Sequence, residues 1–371
     1  MQSRRAWLQS SIGLGGLLLA PSQLLSAQEI TNFRPRLLGN EPIRLSSNEN
    51  PYGPSKVVQS AIQEAFVHGC RYPYAYSDGL AEILAEKHGV SPESIIVTGG
   101  STEGLKITGM TFTAGGGEII AGQPTFLAMM DYAKQWGASI NWVPVGADKG
   151  YDLPEIEKRI SSKTKLVFLC NPNNPTGTLV PAKQLVDFCT VASKKAIVFS
   201  DEAYYDYIET PEYPSMVDLV KKGENVIVSK TFSKVYGMAG LRVGYLIAKP
   251  ELASKIRQNI VAMSNVLGIE AAKAALQDQA FYDFSIQKAK EAKTRIYTLL
   301  DHLELDYVPS HTNFIFFHSK KDIRELGPAM LAKGVRIGRP FPPFYDWCRI
   351  STGTLEEVDL FIKGMLEVYN S

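Results

Sequence analysis

The chain has 371 residues, with 39 lysines and arginines against 38 acids for a net charge of +1. That balance gives no support for nucleic-acid binding, which needs a clustered basic face, and the length suffices for more than one domain and a large core. Cys70, Cys170, Cys189 and Cys348 share no metal-ligand spacing with the five histidines, so free, mostly buried thiols and no metal are predicted.

At the amino terminus, Ser3-Arg4-Arg5-Ala6-Trp7-Leu8-Gln9 resembles a twin-arginine export signal. A mildly apolar, glycine-rich run follows over residues 12–20, and Ser26-Ala27 supplies small residues for cleavage after Ala27. The run is too short to remain as a permanent membrane anchor. A periplasmic or otherwise exported mature protein is predicted, with a cytoplasmic one as the alternative.

Apolar runs recur at residues 95–97, 118–121, 139–143, 166–169, 196–199, 226–228 and 245–248, separated by amphipathic stretches. Strands interleaved with helices imply an α/β fold whose mainly parallel sheet is covered on both faces. After Glu251 the pattern changes to long helical segments, then strands at 312–317 and 348–351, and a closing helix from about Leu355. That change predicts a small C-terminal domain.

Three of the central runs end in residues that carry chemistry. Residues 166–170 feed Asn171-Pro172-Asn173-Asn174-Pro175-Thr176-Gly177-Thr178, a loop stiffened by prolines and released by Gly177. Residues 196–200 end at Asp201-Glu202-Ala203-Tyr204. In open α/β sheets, sites gather outside the carboxyl ends of the strands. An acid there also caps helices, but it can pair with a protonated pyridine nitrogen, the partner of an electron-sink cofactor. Tyr204 and Asn174 can reach the same ring's phenolic oxygen. Residues 226–228 lead into Ser229-Lys230-Thr231-Phe232-Ser233-Lys234, with Arg242 eight residues beyond Lys234. A lysine amine forms a Schiff base with an aldehyde once it is partly deprotonated. The hydroxyls and the forked donors of Arg242 suit a phosphate. Together these suggest pyridoxal phosphate, against the alternative of an exposed loop with solvated Lys230 and Lys234.

The order Asn-Pro-Thr-Gly, Asp-x-Ala-Tyr, Ser-Lys…Arg resembles the fold-type-I pyridoxal-phosphate aminotransferases from about residue 40 to the C-terminus. Asn48-Glu49-Asn50-Pro51-Tyr52-Gly53-Pro54 makes the histidinol-phosphate aminotransferase branch the most similar. The resemblance implies a mainly parallel seven-stranded sheet and a smaller α+β domain built from both terminal segments. The implied divisions are a signal at 1–27, an arm and part of the small domain at 28–60, a large cofactor domain at 61–284 and a small domain at 285–371.

It implies that Lys234 carries pyridoxal phosphate, with Asp201 under the ring nitrogen, and Asn174 and Tyr204 at the phenolic oxygen. Thr231, Ser233 and Arg242 are implied around the phosphate, with Ser101 and Thr102 where Thr98-Gly99-Gly100 opens a helix. A helix amino terminus favours an anion. Phe126 is implied to stack on the ring in place of the branch's frequent tyrosine. Tyr72, in Arg71-Tyr72-Pro73, is implied to reach the phosphate of a homodimer partner. Arg349 is implied to grip the substrate's α-carboxylate, and Arg336 or Arg339 a distal group. Phe341 and Phe344, in the run that follows, offer an apolar wall. The expected reaction is ping-pong amino transfer between an amino acid, or a similar amine, and a 2-oxo acid. A lyase or decarboxylase on the same fold is the alternative, and a non-catalytic ligand-binding protein a more distant one.

Overall fold

The computed structural model describes residues 41–370. The predicted export signal, its cleavage point and the first part of the arm lie outside the described residues. Twelve strands run in chain order: β1 Ile43–Arg44, β2 Ile95–Thr98, β3 Glu118–Gln123, β4 Ser139–Pro144, β5 Thr164–Cys170, β6 Ile197–Asp201, β7 Val226–Thr231, β8 Gly244–Ala248, β9 Tyr307–Val308, β10 Phe314–His318, β11 Val335–Arg336 and β12 Trp347–Ser351.

Seven of them form the central sheet in the order β2-β8-β7-β6-β5-β3-β4. These are the seven runs predicted as strands. Only β8 runs against the other six. The apolar runs persist along whole strands because both faces of the sheet are covered. Along β5, Val167 and Leu169 enter one core with Val198 and Val228, while Leu166, Phe168 and Cys170 enter the other with Phe199 and Ile227. This is the period of two expected of a strand.

Register then places the chemistry. Cys170 pairs with Asp201, and Asp201 with Ser229, so β5, β6 and β7 end level with one another. Because β8 runs the other way, its amino end at Gly244, just after Arg242, meets the carboxyl end of β2 at Thr98. The Asn171–Thr178 loop, Asp201, Lys234, Gly99-Gly100 and Arg242 therefore gather along one edge.

A second core lies around the antiparallel sheet β12-β10-β9. Ile315, Phe317, Cys348 and Ile350 pack there with Ile296 and Leu300 of the helix Gln279–His302 and with Val358, Phe361 and Met365 of the helix Leu355–Tyr369. The latter helix begins where predicted, because Thr354 and Glu357 form a reciprocal capping box. β1 pairs in parallel with β11, which ties the amino-terminal segment to this core. The helix Gln279–His302 is continuous through residue 284, where a boundary was predicted.

Cys170, Cys189 and Cys348 are buried and Cys70 is exposed, all four as free thiols. Among the described residues, no helix is long and apolar enough to cross a membrane.

Candidate active site

A cavity of about 660 Å³ opens at the carboxyl edge of the sheet, between it and the segment carrying β11 and β12. Asp201, Lys234, Tyr204, Asn174, Ser101, Thr102, Phe126, Ser233, Arg242, Arg336, Arg339 and Arg349 all line it. These are all but two of the predicted site residues.

Its floor holds an acid and an amine, each moved far from its solution behaviour. Asp201 is 2 % exposed, and its Oδ1 has no hydrogen-bond partner among the described residues. Burial pushes its carboxyl up to about 7. Burial, helped by the Arg349 charge, lowers the Lys234 amine to about 8. Both shifts disfavour the charged form, as desolvation dictates. Lys234 Nζ donates to the Asn48 carbonyl at 3.0 Å and lies 5.4 Å from the centre of the Tyr204 ring. Lys230 is not the free amine of an exposed loop: it donates to buried Glu202 at 2.7 Å and sits over the Tyr205 ring. That leaves Lys234 to supply a nucleophilic amine.

One end of the cavity suits a phosphate. The helix Ser101–Thr113 starts there without a side-chain cap, which leaves its first N–H groups available to an anion. Gly100 has φ +83°, and a Cβ on it would collide with the Arg242 guanidinium. A Cβ on Gly244 would lie 2.5 Å from the Ser101 nitrogen. The two glycines thus let Arg242 and the helix start close on the same space. Arg242 donates to the Ser233 hydroxyl at 3.5 Å and to the Ala239 carbonyl at 2.8 Å. Thr231 is buried and does not line the cavity; its hydroxyl donates to Ser233 Oγ at 3.0 Å, so it acts through Ser233.

Across the cavity stand three arginines. Arg349, on β12, is 8 % exposed and donates from Nη1 to Asn174 Oδ1 at 2.7 Å and from Nη2 to the Ser46 carbonyl at 2.5 Å. Its Nε has no partner among the described residues, and its guanidinium lies 4.9 Å from the Phe341 ring centre. Arg336, at the end of β11, and Arg339, over the Phe341 ring at 4.4 Å, are exposed. Both reach the cavity, so geometry does not choose between them. Phe341 forms part of the apolar wall, whereas Phe344 packs outside it against Trp347. Tyr72 is 82 % exposed and lies off this chain's own cavity.

Asn48, which has no predicted role, contacts both Lys234 and Tyr204. Its place in the Asn-Glu-Asn-Pro run was the available signal.

Pyridoxal phosphate fits this residue set. The unpartnered Asp201 Oδ1 suits a protonated ring nitrogen, Phe126 offers a ring face, and the Gly100–Arg242 end suits the phosphate. The family described as "Aminotransferase class I and II" matches residues 40–364. A histidinol-phosphate aminotransferase of Moorella thermoacetica is 39% identical, over 88% of this chain and 85% of that one. Another, from Halalkalibacterium halodurans, is 36% identical over 90% and 91% respectively. The crystal structure of histidinol-phosphate aminotransferase from Sinorhizobium meliloti in complex with pyridoxal-5'-phosphate superposes with a TM-score of 0.82 at 28% identity, covering 89% of this chain and 91% of that one. With a match that spans every cavity-lining segment from Ser46 to Arg349, the chain belongs to the class I and II aminotransferases and is a pyridoxal-phosphate-dependent transaminase.

Proposed function

We propose that the amino donor carries an anionic group remote from its reacting amine, as a phosphorylated or dicarboxylic substrate does, and that the acceptor is a 2-oxo acid. The observation that carries this is a cationic surplus in one cavity. Lys234, Arg242, Arg336, Arg339 and Arg349 line it, against the carboxylates of Glu49 and Asp201 only. Glu49 is already held by Arg44 through two bonds, at 2.9 and 3.0 Å. After one arginine for the cofactor phosphate and one for an α-carboxylate, Arg336 and Arg339 remain, and neither forms an ion pair among the described residues. The histidinol-phosphate aminotransferases it resembles are consistent with such a donor.

Bound pyridoxal phosphate supplies the aldehyde that captures the substrate amine and the ring that takes up the electron pair left at Cα. The chain's own groups do the rest. Arg349 presents its fork to the carboxylate and so orients the Cα–H bond. Lys234 Nζ, lowered to about 8 by burial, takes the Cα proton as general base near neutral pH. Asp201 holds its charge only against a cationic partner, because burial alone favours its neutral form. Phe126 and Phe341 cover the site with apolar surface, which strengthens every charge interaction inside it.

The enzyme works as a homodimer in which Tyr72 reaches the partner's cavity. This reading is supported by the exposure of Tyr72 beside exposed Phe66, Val67 and Tyr74. The mature protein is exported, which Arg4-Arg5 and Ser26-Ala27 support; sequencing the secreted chain should find Gln28 first.

A half-reaction screen tests the substrate class by following cofactor absorbance with phosphorylated, acidic, aromatic and basic amines. Phosphorylated or acidic donors should react fastest, and Arg336→Ala with Arg339→Ala should raise their KM about tenfold to hundredfold with little change for neutral donors. Equal rates for neutral aromatic donors in the unmodified enzyme would sink the proposal.

A further inference from the structure

We infer that Asn48 is a positioning residue of the amino-transfer site: it fixes the Tyr204 hydroxyl as a donor into the cavity and ties it to the strand carrying Arg349. The inference rests on the aminotransferase reading and assigns a role to a residue outside the recognised catalytic set.

Asn48 is 1 % exposed and uses every polar atom it has. Its N–H donates to Ser351 Oγ at 2.8 Å, and Ser351 Oγ donates back to Asn48 Oδ1 at 2.9 Å. That exchange sets the amide: Oδ1 faces Ser351, so Nδ2 faces Tyr204, to which it donates at 3.0 Å. The Asn48 carbonyl accepts from Lys234 Nζ at 3.0 Å and from Asn313 Nδ2 at 3.1 Å. With φ at 53°, the residue sits in the left-handed region, which asparagine tolerates better than most side chains.

The consequence falls on Tyr204. A phenolic oxygen has two acceptor positions and one proton. Asn48 Nδ2 takes one acceptor position, and Asn174 Nδ2, at 3.3 Å, takes the other. The Asn174 amide is set in the same way, because its Oδ1 accepts from Arg349. With both acceptor positions filled, the hydroxyl proton is left for a partner in the cavity that Tyr204 lines. Two amides, each oriented by a side chain on β12, therefore make Tyr204 a donor toward a negatively charged ring oxygen. Ser351 lies two residues from Arg349 on that strand, so the substrate's carboxylate anchor and the orientation of Tyr204 share one element.

The test uses the holoenzyme and reads the pH midpoint at which cofactor absorbance changes. A donor to a negatively charged ring oxygen lowers the proton affinity of the bound cofactor, so weakening that donor raises the midpoint. Asn48→Gly accepts the left-handed backbone and keeps the carbonyl under Lys234, but removes both side-chain bonds. It should raise the midpoint by a few tenths to one pH unit, about twofold to tenfold in proton affinity. Asn48→Asp keeps the volume but offers Tyr204 an acceptor in place of a donor, and should raise it further. In a Tyr204→Phe background, Asn48→Gly should add nothing.

A role in packing alone would lower Tm and leave the midpoint in place. An unmoved midpoint in Asn48→Gly, or an equal shift without the Tyr204 hydroxyl, overturns the inference. If the glycine variant does not fold, an unmoved midpoint in Asn48→Asp overturns it instead. Lys234→Ala separates the two readings: retention of the wild-type titration there would refute the lysine-bound cofactor itself, whatever Asn48 does.

Discussion

The floor and the far wall of the cavity are built differently. On the floor, Asp201, Tyr204 and Asn174 are buried at the ends of parallel strands or in the loops that follow, and each is oriented by the fold. On the far wall, Arg336 and Arg339 stand exposed on a short strand and the loop after it, without an ion pair among the described residues. On the proposed function, the floor carries the chemistry common to a cofactor class and the wall the choice of substrate. Rigid elements hold reacting groups to tight tolerances, while loops admit variation.

The sharpest way to break that division is at Lys234. Lys234→Ala should reduce kcat by about 10,000-fold or more, since it removes both the cofactor's covalent anchor and the general base. Borohydride treatment of the unmodified holoenzyme should fix the cofactor to residue 234, located by peptide mass. Turnover retained in the variant, or label elsewhere, would refute the assignment of the floor.

Arg349 stands on the border, since it belongs to the wall yet is as buried as the floor. Its Nη1 and Nη2 hold Asn174 and the Ser46 carbonyl. A lysine there keeps one charge but cannot hold both partners and a carboxylate in one plane. Arg349→Lys should lower kcat/KM by about 100-fold, mostly through KM. A fall confined to kcat would mean that Arg349 acts mainly on Asn174 and Tyr204, which would move it to the floor.

The floor was legible in the sequence residue by residue, whereas on the wall Arg349 was named outright but Arg336 and Arg339 only as alternatives, for a physical reason. Asp201 and Lys234 follow continuous apolar runs, and a buried parallel strand announces both itself and its carboxyl end. The buried strands β3, β5, β6 and β7 were readable for the same reason. Arg336 ends, and Arg339 follows, a strand of only two residues, which exists because Ile43 and Arg44 pair with it from far along the chain. No local pattern encodes that pairing. Thr231 read as a phosphate ligand because hydroxyl spacing was visible, whereas the strand geometry that turns it beneath Ser233 was not. Asn48 was hidden in the same way, since its partners Tyr204, Lys234 and Ser351 are brought together only by the fold.

The comparison predicts a smaller effect on stability as well. Burial of an amine for chemistry should be a thermodynamic burden on the cofactor-free protein, and the exposed wall should carry none. Folding lowers Lys234 from 10.5 to about 8, so the unfolded chain holds that proton more tightly. Below about pH 8 both states are protonated and the full penalty stands; between about 8 and 10.5 the native state releases the proton first, and stability rises with pH. Water in the open cavity screens part of this, so Lys234→Met should stabilise the cofactor-free protein at pH 7 by about 1–2 kcal/mol. The gain should shrink as pH climbs through that window, because only the unmodified protein improves there. Arg336→Met should leave stability within about 0.5 kcal/mol at every pH. Denaturant unfolding of the three proteins at pH 7 and pH 9.5 decides it. A Lys234→Met gain that is absent, or constant with pH, would show that the Asn48 carbonyl compensates the buried amine in full, and that the floor is no more burdened than the wall.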